Sequence, residues 1–213
     1  MSHSQHIVVA AGIGPSVLDG LPPDAYVIAA DGGLERCRSL GLRPHLVVGD
    51  LDSVSGAALA EAEQDGIEVV RHPPRKDATD LELALDEALA RGASSVLVVA
   101  SAEGRLDHLL ASLLLLGSPR YGGVELDALV GEARVHVIRD ERVLAGVAGE
   151  TVTLLALGGP AGGVTTEGLE YPLHGETLEP GSSRGVSNTF AASEARVVVA
   201  TGILAAVRPG ATA

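Results

Sequence analysis

Aromatic residues are nearly missing from this chain of 213 residues, which has no tryptophan, one phenylalanine and three tyrosines. Its core must therefore be filled by aliphatic side chains, and Ala, Val and Leu dominate the 46% of residues that are hydrophobic. Cysteine is limited to Cys37, which excludes an internal disulfide and fits a reducing compartment. Basic residues are few: 15 Lys and Arg face 28 Asp and Glu, a formal net charge of −13. That balance disfavours broad contact with a nucleic-acid backbone. Long apolar runs are lacking too, since Leu109–Leu116 is interrupted by Ser112 and is far too short to span a bilayer. Met1–His6 shows no basic-then-apolar signal-peptide pattern. The expectation is a soluble, cytoplasmic protein that binds neither nucleic acid nor membrane. Its length suits one large domain or two modest ones.

Several familiar motifs are also missing. No Gly-x-x-x-x-Gly-Lys-Ser/Thr loop, Ser-His-Asp order or Cys/His zinc spacing occurs, and Gly12-x-Gly14 lacks the third glycine of a dinucleotide fingerprint. What is present is a regular alternation of strand-like and helical stretches. Ile7–Ala11, Tyr26–Ala30, His45–Val48, Ile67–Val70 and Ser95–Val99 read as strands. Between and after them, Leu34–Leu40, Gly56–Gln64, Thr79–Arg91 and Leu106–Leu116 read as helices, with Gly41, Gly66 and Gly92 as stops. This alternation predicts an α/β unit with a mainly parallel sheet covered by helices on both faces. Beyond Gly122-Gly123 the texture changes to short β-type runs at Val124–Val130, Arg134–Ile138, Thr151–Leu157, Gly163–Thr166, Leu169–Leu173 and Arg196–Leu204. Punctuated by Gly and Pro, they predict an all-β antiparallel sandwich or barrel, with a domain boundary near residue 130.

The acidic residues gather where strands end. Gly49-Asp50-Leu51-Asp52-Ser53 follows an apolar run, and in an extended chain Asp50 and Asp52 would point the same way. Two carboxylates so placed make half a site for a hard cation such as Mg²⁺. They also read as solvated loop residues, with Ser53 or Ser55 capping the next helix. In Lys76-Asp77-Ala78-Thr79-Asp80-Leu81-Glu82, Thr79 and Glu82 have capping-box spacing, which puts Asp80 in the first helical turn. There the helix dipole favours an ionised carboxylate, whether for a ligand or only to complement the dipole. Glu103-Gly104-Arg105-Leu106-Asp107-His108 offers a glycine loop and a cation suited to phosphate, or simply an Arg105–Asp107 pair at a helix start. Asp31-Gly32-Gly33 ends the second strand, where the glycines permit close approach of a ligand or form a plain turn. In a parallel sheet Asp31, Asp50, Asp52, Asp77, Asp80 and Asp107 share one edge, and such a crowd of acids calls for a cation among them.

Taken in order, these motifs resemble the thiamine pyrophosphokinase family, and Gly168-Leu169-Glu170-Tyr171-Pro172-Leu173 with Gly185-Val186-Ser187-Asn188 extends the likeness through the rest of the chain. The resemblance implies an ATP-binding α/β catalytic domain over residues 1–130 and a β-sandwich over 131–213 that binds thiamine and forms a homodimer. It implies transfer of a diphosphate from ATP to the thiamine hydroxyl with release of AMP. By position, Asp50, Asp52 and Asp80 would hold Mg²⁺, with Asp77 and Asp107 nearby. Lys76, Gly104 and Arg105 would face phosphates, and Asp31 and Gly32 would line the nucleotide pocket. Ser187, Asn188 and Tyr171 would contact thiamine, and either Asp80 or Asp107 would accept the hydroxyl proton. Two positions depart from the family pattern: Glu103 replaces a glycine, and Ser112 replaces an asparagine. The rival expectations are a pyrophosphokinase for another heterocyclic alcohol such as a pterin, a non-catalytic nucleotide- or thiamine-binding module, and a metal-dependent glycosyltransferase.

Overall fold

The computed structural model describes residues 5–12, 21–102 and 105–210; Gly14, Glu103 and Gly104 lie outside the described residues. Contacts divide the chain into two compact units, residues 1–112 with 123–131 and residues 113–122 with 132–212.

The first unit is built on parallel strands: β1 (Gln5–Ala11), β2 (Tyr26–Ala30), β3 (Leu46–Gly49), β4 (Glu68–Arg71), β5 (Ala93–Ala100) and β6 (Glu125–Val130). Their spatial order is β6-β5-β1-β2-β3-β4. The chain steps outward from β1 to β4 and then returns to the other side of β1. A topological switch point therefore lies between β1 and β5, the place where parallel sheets open a ligand crevice. One face of the sheet presents Val8, Ala10, Val27, Ala29 and Val47 to Leu34 and Cys37 of α1 (Gly33–Ser39) and to Ala58 and Ala62 of α2 (Gly56–Gln64). The alternate residues Ile7, Val9, Ile28, Leu46 and Val48 are equally buried, as strand periodicity requires when both faces are covered. α3 (Asp80–Ala90) packs against β1, β2, β3 and β5 through a buried stripe of Leu81, Ala84, Leu85 and Ala88. These three helices have chemical starts or stops. Ser55 caps α2 by accepting from Ala58 N–H, Thr79 caps α3 by accepting from Glu82 N–H, and Gly41, Gly66 and Gly92 take positive φ just after α1, α2 and α3.

Val124–Val130 was expected among the antiparallel runs, yet as β6 it pairs in parallel with β5 in the first unit. The helical crossover α4 (Leu106–Leu116) precedes it, and a parallel neighbour needs such a connection.

The second unit contains two antiparallel sheets. One is ordered β12 (Asn188–Thr189), β9 (Thr151–Ala156), β14 (Leu204–Arg208), β7 (Ala133–Ile138). The other is ordered β11 (His174–Leu178), β10 (Ala161–Glu167), β13 (Glu194–Val198), β8 (Glu141–Ala145). A single buried cluster draws Val152, Leu154 and Leu204 from the first sheet and Leu144, Val164 and Val197 from the second, which makes the unit a sandwich. The lone phenylalanine, Phe190, belongs to that cluster, and its ring lies so near Gly146 that a Cβ there would sit 2.6 Å away. Two expected strands differ. Leu169–Leu173 is irregular apart from a bridge between Leu169 and Phe190, because Pro172 offers no N–H to a ladder. Arg196–Leu204 is divided between β13 and β14, which lie in different sheets; the break includes Gly202 at φ 84°, where a Cβ would meet Pro160 O at 2.3 Å.

Candidate active site

At the end of β2, Asp31 leaves the strand with φ 47°, its N–H donating to Val48 O at 2.9 Å. Gly33 then opens α1 so close to β1 that an added Cβ would lie 2.0 Å from Ala10 O, so only glycine lets the helix begin there. Gly32, by contrast, has an ordinary helical φ of −55°, and a Cβ on it would have Ser53 Cβ as its neighbour at 3.8 Å.

β3 ends at Gly49, whose φ of 151° turns the chain into the acidic loop. A Cβ on Gly49 would lie 2.9 Å from Asp80 Oδ1 and 3.1 Å from Asp31 Cβ, so the bare backbone here is what lets Asp31 and Asp80 approach. Asp50 and Asp52 do not converge by strand alternation, as an extended chain would have it. Leu51 between them is left-handed at φ 64°, with its side chain buried, and Asp52 N–H turns back toward Asp50 Oδ1 at 3.4 Å. Burial of Leu51 thus holds a conformation that a branched residue seldom adopts, and the two carboxylates are aimed by a turn.

The result is a compact acidic centre. One carboxylate oxygen from each of Asp31, Asp50 and Asp52 lies within 4.8 Å of the others. Lys76 Nζ sits 3.1 Å from Asp50 Oδ2 and 2.5 Å from Asp80 Oδ1. Ser53 Oγ donates to Asp52 Oδ1. Burial pushes the Asp31 carboxyl above the ordinary carboxylate value; the Ser53 hydroxyl and Gly32 N–H oppose the shift, while Asp80 and Asp52 reinforce it. Burial acts upward on Asp50 too, but the Lys76 ammonium and Asp52 N–H outweigh it and hold that carboxyl below its usual value. Lys76 is drawn down by burial and raised more strongly by Asp80 and Asp50, so it stays charged.

Three observations fit a divalent ion here. The donors are all carboxylate oxygens, their spacing allows a shared ion, and Asp31 Oδ1 is buried with no hydrogen-bond partner. Asp31 was expected on the same sheet edge as the Asp-x-Asp pair but, by resemblance, as a lining of the nucleotide pocket; its carboxylate stands in the triangle with Asp50 and Asp52, where Asp80 was the expected third member. The signal for it was its place at the C-terminal end of the neighbouring strand.

Other expected residues lie in different surroundings. Asp77 is exposed. Arg105 and Asp107, at the start of α4, form their own exposed ion pair at 2.6 Å, with side chains 71% and 65% accessible. Arg105 pulls the Asp107 carboxyl down to about 2. Ser112 Oγ donates to His108 O within the same helix.

In the second unit Tyr171, Ser187 and Asn188 line one open cleft of about 510 Å³, together with Leu173 and the stretch Ser182–Val186. Tyr171 is exposed, whereas Asn188 is buried and uses its amide on the backbone: Oδ1 accepts from Tyr171 N–H and Thr189 N–H, and Nδ2 donates to Tyr171 O at 2.7 Å. Asn188 therefore fixes the segment that presents Tyr171. Ser187 stands at φ 55° with its N–H bound to Thr153 Oγ1. Arg184, on the wall of the cleft, pairs with both carboxylate oxygens of Glu176 at 2.8 Å.

Two family models divide the chain between them. Residues 21–126 match the thiamin pyrophosphokinase catalytic domain, and residues 132–204 match the thiamin pyrophosphokinase vitamin B1 binding domain. The chain belongs to the thiamine pyrophosphokinase family. Among its relatives, the thiamine pyrophosphokinase of Bacillus subtilis is 25% identical over 195 residues, covering 85% of this chain and 86% of the relative. The crystal structure of the Bacillus subtilis protein superposes with a TM-score of 0.83 at 22% identity, covering 98% of this chain and 100% of that one. That of the Enterococcus faecalis family protein superposes with a TM-score of 0.78 at 25% identity, over 96% of this chain and 98% of that one. The thiamine pyrophosphokinase family carries diphosphotransferase activity in thiamine diphosphate formation, and this chain is an enzyme of that class. Neither the family models nor the relatives support a pterin substrate or a binding-only module.

Proposed function

We propose that this member of the family moves the diphosphate of ATP onto the hydroxyl of thiamine, releasing AMP, with Mg²⁺ held at the acidic centre. The observation that carries this reading is the convergence of Asp31, Asp50 and Asp52 on one point, with Asp31 Oδ1 buried and unpaired. Asp31, Asp50 and Asp52 supply ligand oxygens, and Asp80 completes the rim beside Lys76. Bound there, the ion supplies charge neutralisation for a triphosphate. The chain's own groups do the rest. Lys76 and Arg105 are the cations available to phosphate oxygens, and the exposed Arg105 guanidinium can leave Asp107 at little cost. Asp80 or Asp107 takes the proton of the attacking hydroxyl. Little covalent work falls to the protein, so in-line placement of hydroxyl and β-phosphorus supplies most of the rate. The cleft bearing Tyr171 and Ser187 receives thiamine, with the tyrosine ring as a stacking surface.

The chain acts as a cytoplasmic homodimer. Leu106, Leu110 and Leu114 lie four residues apart along α4 and are 66%, 52% and 61% exposed, an apolar stripe suited to self-association. A buried, unpaired Cys37 suits a reducing compartment, and no helix among the described residues is long and apolar enough to cross a membrane. Product analysis tests the reaction: incubation with Mg²⁺, ATP and thiamine should give thiamine diphosphate and AMP in equal amounts. ADP with thiamine monophosphate, or no phosphorylated thiamine at all, would refute it.

A further inference from the structure

Of the 15 Lys and Arg residues in this chain, fourteen are arginine, and the one lysine is Lys76. That single ammonium lies in the acidic centre, its side chain only 12% exposed, between Asp50 Oδ2 at 3.1 Å and Asp80 Oδ1 at 2.5 Å. The arginines include Arg184 and Arg196, which make two-toothed pairs with Glu176 and Glu141. A planar guanidinium locks onto one carboxylate through two parallel bonds. An ammonium is a compact point charge on a flexible stem, able to bridge two separate carboxylates and to let go of one.

Asp50 has a double engagement. Its carboxylate belongs to the triangle with Asp31 and Asp52 and is at the same time held by Lys76 through Oδ2. The ammonium thus touches two carboxylates, those of Asp50 and Asp80, and Asp50 carries it to the edge of the triangle completed by Asp31 and Asp52. A divalent ion entering the triangle shares Asp50 with a cation already in contact with it. We propose that Lys76 is the resident cation of this centre: it holds Asp50 and Asp80 together while no divalent ion is bound, competes with the ion for Asp50, and yields when a polyphosphate offers it new oxygens. The inference rests on the metal–triphosphate reading above. It assigns Lys76 a positioning and coupling role, in which metal alone binds weakly and metal with nucleotide binds cooperatively. Linkage makes the effect reciprocal, so nucleotide binds more tightly with metal by the same factor.

Mn²⁺ alone serves as the probe, its binding measured by calorimetry and electron paramagnetic resonance, without and with α,β-methylene-ATP, whose bridge cannot be cleaved. Lys76→Met should bind Mn²⁺ alone at least about tenfold more tightly than the native chain, and the gain produced by the nucleotide analogue should shrink by a similar factor. Equal or weaker binding of Mn²⁺ alone by Lys76→Met overturns the inference while leaving the metal site intact. Absence of Mn²⁺ binding in both proteins, even with the analogue, removes the site reading and the inference with it.

The native chain gives a second measurement that needs no variant. With ¹³C-labelled lysine it carries one labelled side chain, so its Cε–Hε correlation reports on Lys76 alone. Titration with Mg²⁺ and α,β-methylene-ATP should shift that signal stepwise, first with metal and further with nucleotide. A signal that Mg²⁺ at saturation leaves unmoved overturns the proposal.

Discussion

Replacing Gly49 by alanine places a methyl group at the point where β3 runs into the acidic loop. The backbone there has φ 151°, a region essentially reserved for glycine, and forcing alanine into it costs about 1–3 kcal/mol. For a chain of this length that cost lowers the melting temperature by roughly 2–12 °C. The new Cβ would also stand 2.9 Å from Asp80 Oδ1 and 3.1 Å from Asp31 Cβ. The Asp80 carboxylate ends a flexible side chain and can retreat by a few tenths of an ångström, so the contact itself adds little to the cost in stability. Its retreat draws Asp80 away from Lys76 and loosens the geometry on which turnover depends, for a loss on the order of 10- to 100-fold. Steady-state AMP release and thermal unfolding, measured side by side, separate the two effects. Gly32→Ala is the control: its backbone is helical and its nearest neighbour, Ser53 Cβ, is 3.8 Å from the added methyl, so its melting temperature should match the native value. Native turnover in Gly49→Ala would refute the placement of Asp31 and Asp80 against the Gly49 backbone.

Burial pushes the Cys37 thiol up to about 12 from an ordinary 9.0, so between those values the native state keeps a proton that the unfolded chain has released. The associated stability is complete below pH 9 and is lost as pH rises toward 12. The melting temperature of Cys37→Ala should fall less steeply above pH 9 than that of the native chain, and parallel curves would contradict this. Asn188→Ala removes three hydrogen bonds to the backbone of Tyr171 and Thr189 and should destabilise the sandwich by about 1–3 kcal/mol in denaturant unfolding. An unchanged midpoint would deny Asn188 its clamping role. Arg105→Ala breaks only an exposed pair, so its melting temperature should stay at the native value while turnover falls on the order of 10²-fold or more. Loss of stability without loss of rate would reverse that assignment.

The α/β unit was legible because its punctuation is local. Gly41, Gly66 and Gly92 follow helices at positive φ, and Ser55 and Thr79 cap the helices that their spacing announces. The acidic rim was legible in outline because a parallel sheet brings successive strand ends to one edge. Its inner geometry was not. Nothing in a leucine signals φ 64°, and only tertiary burial holds Leu51 there. The link from Lys76 to both Asp50 and Asp80 joins a strand end to a helix start, which spacing along the chain cannot show. Asn188 resembles an exposed polar contact residue in sequence, yet the fold turns its amide inward onto the Tyr171 backbone. β6 was placed among the antiparallel runs because an aliphatic stretch carries no mark of the direction of its partner.

Convergence of three aspartates on one ion is best tested by titrating Mn²⁺, in the presence of α,β-methylene-ATP, into the native chain and into Asp31→Asn, Asp50→Asn and Asp52→Asn. A shared site predicts one ion per chain and a loss of at least about tenfold in affinity in each variant. Native affinity in any two of the three would contradict it.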